Sequence, residues 1–182
     1  MRERKSPNYA GQLLVAHPSL RDPNFRRSVL FISSHDIEEG AIGVILNRPL
    51  DKQVSELVPE SAPEILADVP VYLGGPVATN ELMFAAFDWQ NGESLILNQN
   101  IALQHIEPNE EIPRGIRAFV GYAGWSAGQL ETELRQHAWL LHKPKPAALA
   151  TERLPQLWFE IMRELGPWFH MLAAAPDDPS LN

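Results

Sequence analysis

The chain has 182 residues, 45% of them hydrophobic, and no cysteine. That length suits one domain with a real core, and the missing thiols exclude disulfides, thiolate metal sites and cysteine nucleophiles. A formal net charge of −8 opposes general binding to nucleic acid, which depends on neutralising phosphates with Lys and Arg.

Two small basic groups, Arg2-Arg4-Lys5 and Arg26-Arg27, read as solvated surface. The apolar run at 13–16 is too short for a signal-peptide core, and no run approaches the roughly 18 residues of a membrane span. The expectation is one cytoplasmic domain over 1–182, not membrane-bound, with 1–9 and 173–182 flexible.

In chain order, residues 13–16 read as a short strand. His17-Pro18-Ser19-Leu20 follows, then a turn on Arg21-Asp22-Pro23-Asn24. The apolar, β-branched runs 29–33 and 41–46 flank a polar loop closed by Gly40, which predicts a hairpin. Gly43 inside the second run marks a bulge or a close backbone approach. Asn47-Arg48-Pro49 ends that strand, because a residue before proline resists the helical region. Residues 54–66 read as weakly helical or irregular, interrupted by Pro59 and Pro63. A strand at 71–73 stops at Gly74-Gly75-Pro76. Two more strands are predicted at 82–87 and 94–97 around a turn at 88–92. Residues 101–106 are ambiguous, and 107–115 read as loop.

Residues 117–122 are nearly all apolar, as in a strand covered on both faces. After them Leu130, Leu134, Ala138 and Leu141 make one helical stripe. Glu131 and Glu133 lie in its first turns, where the helix dipole favours negative charge, and Glu131 is in i, i+4 reach of Arg135. A last helix is predicted over 154–165, with Pro155 in its first turn, Gly166-Pro167 as its stop, and Leu157, Trp158, Ile161 and Leu165 as its buried stripe. Many short strands with few helices predict an α+β fold with a mixed, largely antiparallel sheet.

The densest chemical signal is Gly124-Trp125-Ser126-Ala127-Gly128, which fits the G-x-S-x-G nucleophile elbow. Such an elbow needs a strand, a sharp turn and a helix, all predicted here. A glutamate among 131, 133, 152, 160 and 164, followed by His170, would complete the order serine, acid, histidine. Gly74-Gly75 could donate to an oxyanion. Against this, Ser126-Ala127-Gly128-Gln129 is also S-x-x-Q, a capping box that starts a helix. Less than a third of the chain follows Ser126.

Gly121, Gly124 and Gly128 precede a helix N-terminus, a natural anion site. They match neither G-x-x-x-x-G-K-[ST] nor G-x-G-x-x-G, so they read as tight turning and close packing. The histidines lack metal-ligand spacing, with His137 and His142 five apart, and no metal or cofactor is predicted. Trp125 can anchor a partner or fold back on the core, and folding back is favoured. The last helix sets Arg153 and Arg163 against Glu152, Glu160 and Glu164, which is unlike a DNA-reading helix.

Several phrases together resemble a known family. They are Gly11-Gln12-Leu13-Leu14-Val15-Ala16-His17-Pro18-Ser19-Leu20, Asp22-Pro23-Asn24-Phe25, Glu39-Gly40-Ala41-Ile42-Gly43-Val44-Ile45-Leu46-Asn47-Arg48-Pro49-Leu50, Gly74-Gly75-Pro76-Val77, and Gly121-Tyr122-Ala123-Gly124-Trp125-Ser126-Ala127-Gly128-Gln129-Leu130-Glu131. Over about residues 10–142 the chain resembles the bacterial AlgH/YqgE family.

The resemblance implies an α+β fold with a barrel-like, partly split sheet flanked by helices. It implies no known reaction, and one branch of the family carries a transcriptional-regulator label. The chain departs from the family's pattern at 81–87, where a Leu-His pair is missing, and at 168–174, where a small-residue ending is altered. The family commonly accepts glycine at the Ser126 position, which a nucleophile would not tolerate.

The resulting expectation is a non-enzymatic binding or regulatory protein, a monomer or weak dimer, with a protein or small-molecule partner and no direct nucleic-acid binding. Asn47, Arg48, Gly74, Gly75, Gly124 and Trp125 are the candidate binding residues, each at a predicted strand end or turn. The alternative is a serine hydrolase using Ser126 and His170.

Overall fold

A computed structural model describes residues 7–58, 64–90, 94–98, 115–146 and 151–175. The expectations at Pro59 and Pro63, at 101–106, over most of 107–115 and at 176–182 fall outside the described residues. Among the described residues the strands are β1 (Leu13–Ala16), β2 (Val29–Asp36), β3 (Gly40–Ile45), β4 (Pro49–Gln53), β5 (Pro70–Leu73), β6 (Val77–Gln90), β7 (Ser94–Asn98), β8 (Ile116–Trp125) and β9 (Trp139–His142). The α-helices are α1 (Val54–Leu57), α2 (Gln129–Arg135), α3 (Leu157–Glu164) and α4 (Pro167–Ala174).

The strands form one mixed sheet in the order β4-β5-β8-β3-β2-β1-β9, with β6 on β8 and β7 on β6. β8 belongs to both halves of it. Its Ala118–Val120 stretch lies between β5, parallel with Val71 opposite Ala118, and β6, antiparallel with Met83 opposite Phe119. Its last residues pair with β3, Gly43 opposite Ala123 and Ala41 opposite Trp125. The exchange of neighbours happens at Gly74, whose N–H donates to the Val120 carbonyl while its own carbonyl accepts from the Ile45 N–H, both at 2.8 Å. There the backbones touch. A Cβ on Gly74 would lie 2.1 Å from the Gly121 carbonyl oxygen, and one on Gly121 (φ +67°) would lie 2.5 Å from that of Gly75, so glycine is required on both sides. The split, curled, largely antiparallel α+β architecture is the one the sequence implied.

β1 is buried on both faces because each face carries a core. Leu13 and Val15 pack with Phe31, Phe119, Leu157, Trp158, Ile161 and Met162 under α3 and α4. Leu14 and Ala16 pack with Leu30, Ile32, Trp125, Leu130 and Trp139 under α2. A third cluster, Val54, Leu66, Val69, Val71, Phe84 and Ala118, fills the β5–β6 half. Each fully buried Leu, Ile, Val or Phe contributes about 1.5–3 kcal/mol. The Trp158 indole N–H donates to the Ala16 carbonyl at 2.8 Å, tying α3 to β1.

Several local expectations are corrected. The helix after Ser126 ends at Arg135, not near 141. His137 takes φ +57°, and the chain returns as β9 beside β1, with Val15 opposite Leu140. The stripe therefore stops at Leu134, and Leu141 is 37% exposed on β9. β8 runs through Trp125, so Gly124 and Trp125 are strand residues rather than turn residues.

In α3, Met162 is buried and Leu165 is exposed, so the buried stripe shifts. Gly166-Pro167 stops one helix and starts another, because proline suits a first helical position. Ala173 is accordingly buried in α4. β6 also extends beyond the predicted 82–87 in both directions.

Candidate functional site

Ser126 follows the last residue of β8. Its hydroxyl donates to Gln129 Oε1 at 3.0 Å, and its backbone N–H donates to the same oxygen at 3.0 Å. This is the reciprocal half of a capping box. The other half, Ser126 Oγ accepting from the Gln129 amide, is replaced by the Ser126 carbonyl, which accepts it at 3.0 Å. The residue flanking the helix start is Gly128, at φ +69°. His170 lies on α4, whose Ala173 joins the core on the opposite face from Trp125. Sequence order placed Ser126 and His170 in one constellation, and the sheet separates them.

Trp125 is 6% exposed and folds onto the core. Its ring stacks near Phe25 at 6.4 Å and meets Trp139 edge-on at 6.1 Å. Both indole N–H groups donate to one oxygen of Glu133, at 2.9 Å from Trp125 and 2.7 Å from Trp139, and the Gln129 amide donates to the other at 2.9 Å. The Glu133 carboxylate therefore organises two tryptophans and the helix start.

Glu131, expected to face Arg135, turns inward instead. Its Oε1 lies 2.6 Å from Nε2 of His35, with the side chains 10% and 1% exposed. The Tyr9 N–H donates weakly to His35 Nδ1 at 3.4 Å, which assigns the ring proton to Nε2 and makes it the donor to Glu131. Arg135 donates to Thr132 Oγ1.

This pair was not readable from sequence. The β2–β3 register shifts between Ile32 and Ser34, and the bulge changes which face each residue takes. Unbroken alternation would have sent Ser34 inward with Leu30 and Ile32. The bulge sends His35 there. The predicted irregularity at Gly43, directly opposite Ile32, was the available clue.

Asn47 and Arg48 hold the 24–27 loop. Asn47 Oδ1 accepts from the Val29 N–H at 2.8 Å, and its amide donates to the Arg27 carbonyl at 2.9 Å. The Arg48 guanidinium donates to the Asn24 and Arg26 carbonyls at 2.6 and 3.0 Å. Partial burial and the nearby Arg26 charge push its pKa down, against an opposing pull from Asp22.

The six candidate binding residues do not share one of the cavities among the described residues. Gly124 and Trp125 line a cavity of about 640 Å³ at the β2–β3 hairpin, with His35, Asp36, Glu39, Ile42, Val77 and Tyr122. Arg48 and Gly75 line a smaller one of about 230 Å³. Asn47 and Gly74 line neither. Among the described residues no three His, Asp or Glu gather as a metal site, and no helix is long and apolar enough to cross a membrane.

A split mixed sheet with helices on its faces, a hairpin cavity and an elbow-like serine engaged in a helix start describe a small α+β domain. The chain belongs to the AlgH-like family, whose model matches residues 13–170. It is 38% identical to a UPF0301 protein of Streptomyces coelicolor, over 94% of each chain. It is 36% identical to one of Chlorobium luteolum, covering 95% of this chain and 94% of that one.

Among solved structures, it resembles the solution structure of the AlgH protein from Pseudomonas aeruginosa, with a TM-score of 0.67 and 29% identity over 98% of this chain and all (100%) of that one. A crystal structure of a Corynebacterium diphtheriae protein shares the fold, with a TM-score of 0.65 at 24% identity over 95% of each chain.

Proposed function

We propose that this chain is a non-enzymatic binding protein of the bacterial cytoplasm. Its binding surface would be the hairpin cavity, and any influence on transcription would be indirect. The observation that carries this reading is the cavity itself. It has about 640 Å³, within the range of ligand and peptide sites. Ile42 and Val77 on its wall are 41% and 40% exposed, and Gly124 leaves a strand surface without a side chain. Ser126 lends no support to an acyl-transfer reading, because its hydroxyl is spent on Gln129.

The test is affinity capture from a bacterial lysate, comparing wild type with an Ile42→Asp/Val77→Asp double variant. Both residues are exposed, so the fold should survive. A partner or ligand retained by wild type and lost by the variant supports the reading. Equal retention, or labelling of Ser126 by a fluorophosphonate probe, overturns it. In a gel shift, specific nanomolar binding to DNA would overturn the indirect role.

A further inference from the structure

Glycine weakens a strand interior, and it is kept where the backbone bends, where another backbone comes close or where a ligand does. The described glycines of the sheet divide on that ground. A Cβ at Gly40 would fall 2.1 Å from the Trp125 carbonyl oxygen, and one at Gly43 would fall 2.7 Å from that of Phe31. Packing forces glycine there, as it does at Gly74 and Gly121. Gly124 is different. It takes no positive φ, and the nearest atom to an added Cβ is a Tyr122 ring carbon at 3.6 Å, an ordinary contact. Folding leaves room for a side chain at this position, and the sequence omits it.

The result is a slot in the wall of the hairpin cavity. Ile42 stands directly opposite Gly124 on β3. Tyr122 shares the Gly124 face of β8, with Val77 opposite it on β6. Toward the hairpin turn the exposed Asp36 and Glu39 side chains line the same cavity. One Asp36 oxygen accepts from the Glu38 and Glu39 N–H groups at 2.8 and 3.1 Å, which fixes that carboxylate in place. Among the described residues no cation pairs with either carboxylate.

Resting on the reading of this cavity as a binding surface, we propose that its ligand is a small organic cation, an ammonium or guanidinium group on a flat apolar body. The body lies against the bare strand at Gly124, between Ile42 and Tyr122. The cationic head meets Asp36 and Glu39, charge-assisted hydrogen bonds being the stronger kind, and the face of a tyrosine ring also attracts cations. A volume of about 640 Å³ suits a small molecule. A chain of net charge −8 concentrates cations around it.

NMR titration of the isotope-labelled full chain tests the proposal. The probes are benzylamine, phenylguanidine, neutral benzyl alcohol and benzoate, read at the Ile42, Tyr122 and Gly124 amides. At least one cation should shift these signals saturably, and the Asp36→Asn/Glu39→Gln variant should bind it about tenfold or more weakly. That variant keeps an acceptor for the Glu38 and Glu39 N–H groups. Gly124→Ala should unfold in urea at the wild-type midpoint or above, and Gly124→Val, by filling the slot, should lose binding. Should Gly124→Val not fold, the charge variant, at two exposed positions, decides alone. The proposal fails if neither cation saturates, if the charge variant or a folded Gly124→Val binds equally well, if Gly124→Ala lowers the midpoint, or if benzoate matches the cations. It also fails if a peptide with one arginine between apolar residues binds more tightly than phenylguanidine, which would make the cavity a protein-docking surface. If benzyl alcohol binds as tightly as the cations, the proposal falls while the cavity stands as a binding surface. That broader reading falls on equal retention by wild type and the Ile42→Asp/Val77→Asp variant.

Discussion

At the α2 end, two carboxylates are drawn into the fold and consumed by it: Glu131 by His35, and Glu133 by two indoles and an amide. At the α3–α4 end, three arginines line an open cavity against apolar walls. The α2 end holds the sequence phrase that most resembles an active site, and its polar groups bond to one another. The arginine end reads as solvated surface in the sequence, yet three of its arginines line one cavity with Trp158 and Leu172. A distinctive phrase can therefore be distinctive because packing demands it. Buried polar groups without partners are costly, so the residues that satisfy them are as constrained as catalytic ones.

Perturbing the packed end should destabilise the fold, and the expected effects can be ranked. Gly74→Ala should be the most damaging, at about 3 kcal/mol or more, because its Cβ would fall 2.1 Å from a backbone oxygen that cannot move aside. Urea unfolding reads it, and an unchanged midpoint would mean that the β3–β5 exchange tolerates a side chain. Glu131→Ala should cost about 3 kcal/mol by stranding the His35 N–H in the core. Glu131→Gln, which keeps an acceptor, should recover much of that in the same assay.

Glu133→Ala should cost about 2 kcal/mol and red-shift tryptophan emission as the Trp125 and Trp139 indoles turn to water. A wild-type spectrum would refute the shared-acceptor role. Burial, then the nearby His137 charge, push the His17 pKa below 6.5. The unfolded chain therefore takes up that proton first, and stability falls as the pH drops through 6.5. Unfolding midpoints at about pH 8 and about pH 5.5 should differ less in His17→Asn than in wild type. Smallest of all, Ser126→Ala should change stability by less than about 0.5 kcal/mol, since its hydroxyl caps no helix N–H. A larger loss would show that the Ser126–Gln129 bond carries the helix start.

The sheet-forming runs were legible because they are short, apolar and separated by turn residues. β1, the β2–β3 hairpin and β5 follow directly from that pattern. β9 was not, because Ala138 and Leu141 continue the helical stripe by coincidence of spacing. Pairing with β1 and burial of Trp139 override that periodicity. α4 was hidden behind Gly166-Pro167, which punctuates both an end and a beginning. At the candidate sites, the capping relation between Ser126 and Gln129 was visible as a pattern, though only its reciprocal half forms. The His35–Glu131 pair spans 96 positions and depends on a bulge that reverses strand parity, and Gly43 marked the place of that irregularity without naming the partner. The arginine cavity needs α3 and α4 folded against a loop more than a hundred residues earlier, and linear charge counting cannot see that.

β8 is ten residues long, yet it supplies Phe119 to one core, Ala123 and Trp125 to another, and Ala118 to the third. It works like the spine of a book whose two covers are the half-sheets. Lifting either cover strips side chains from more than one core at once, so neither half can open far while the other stays shut.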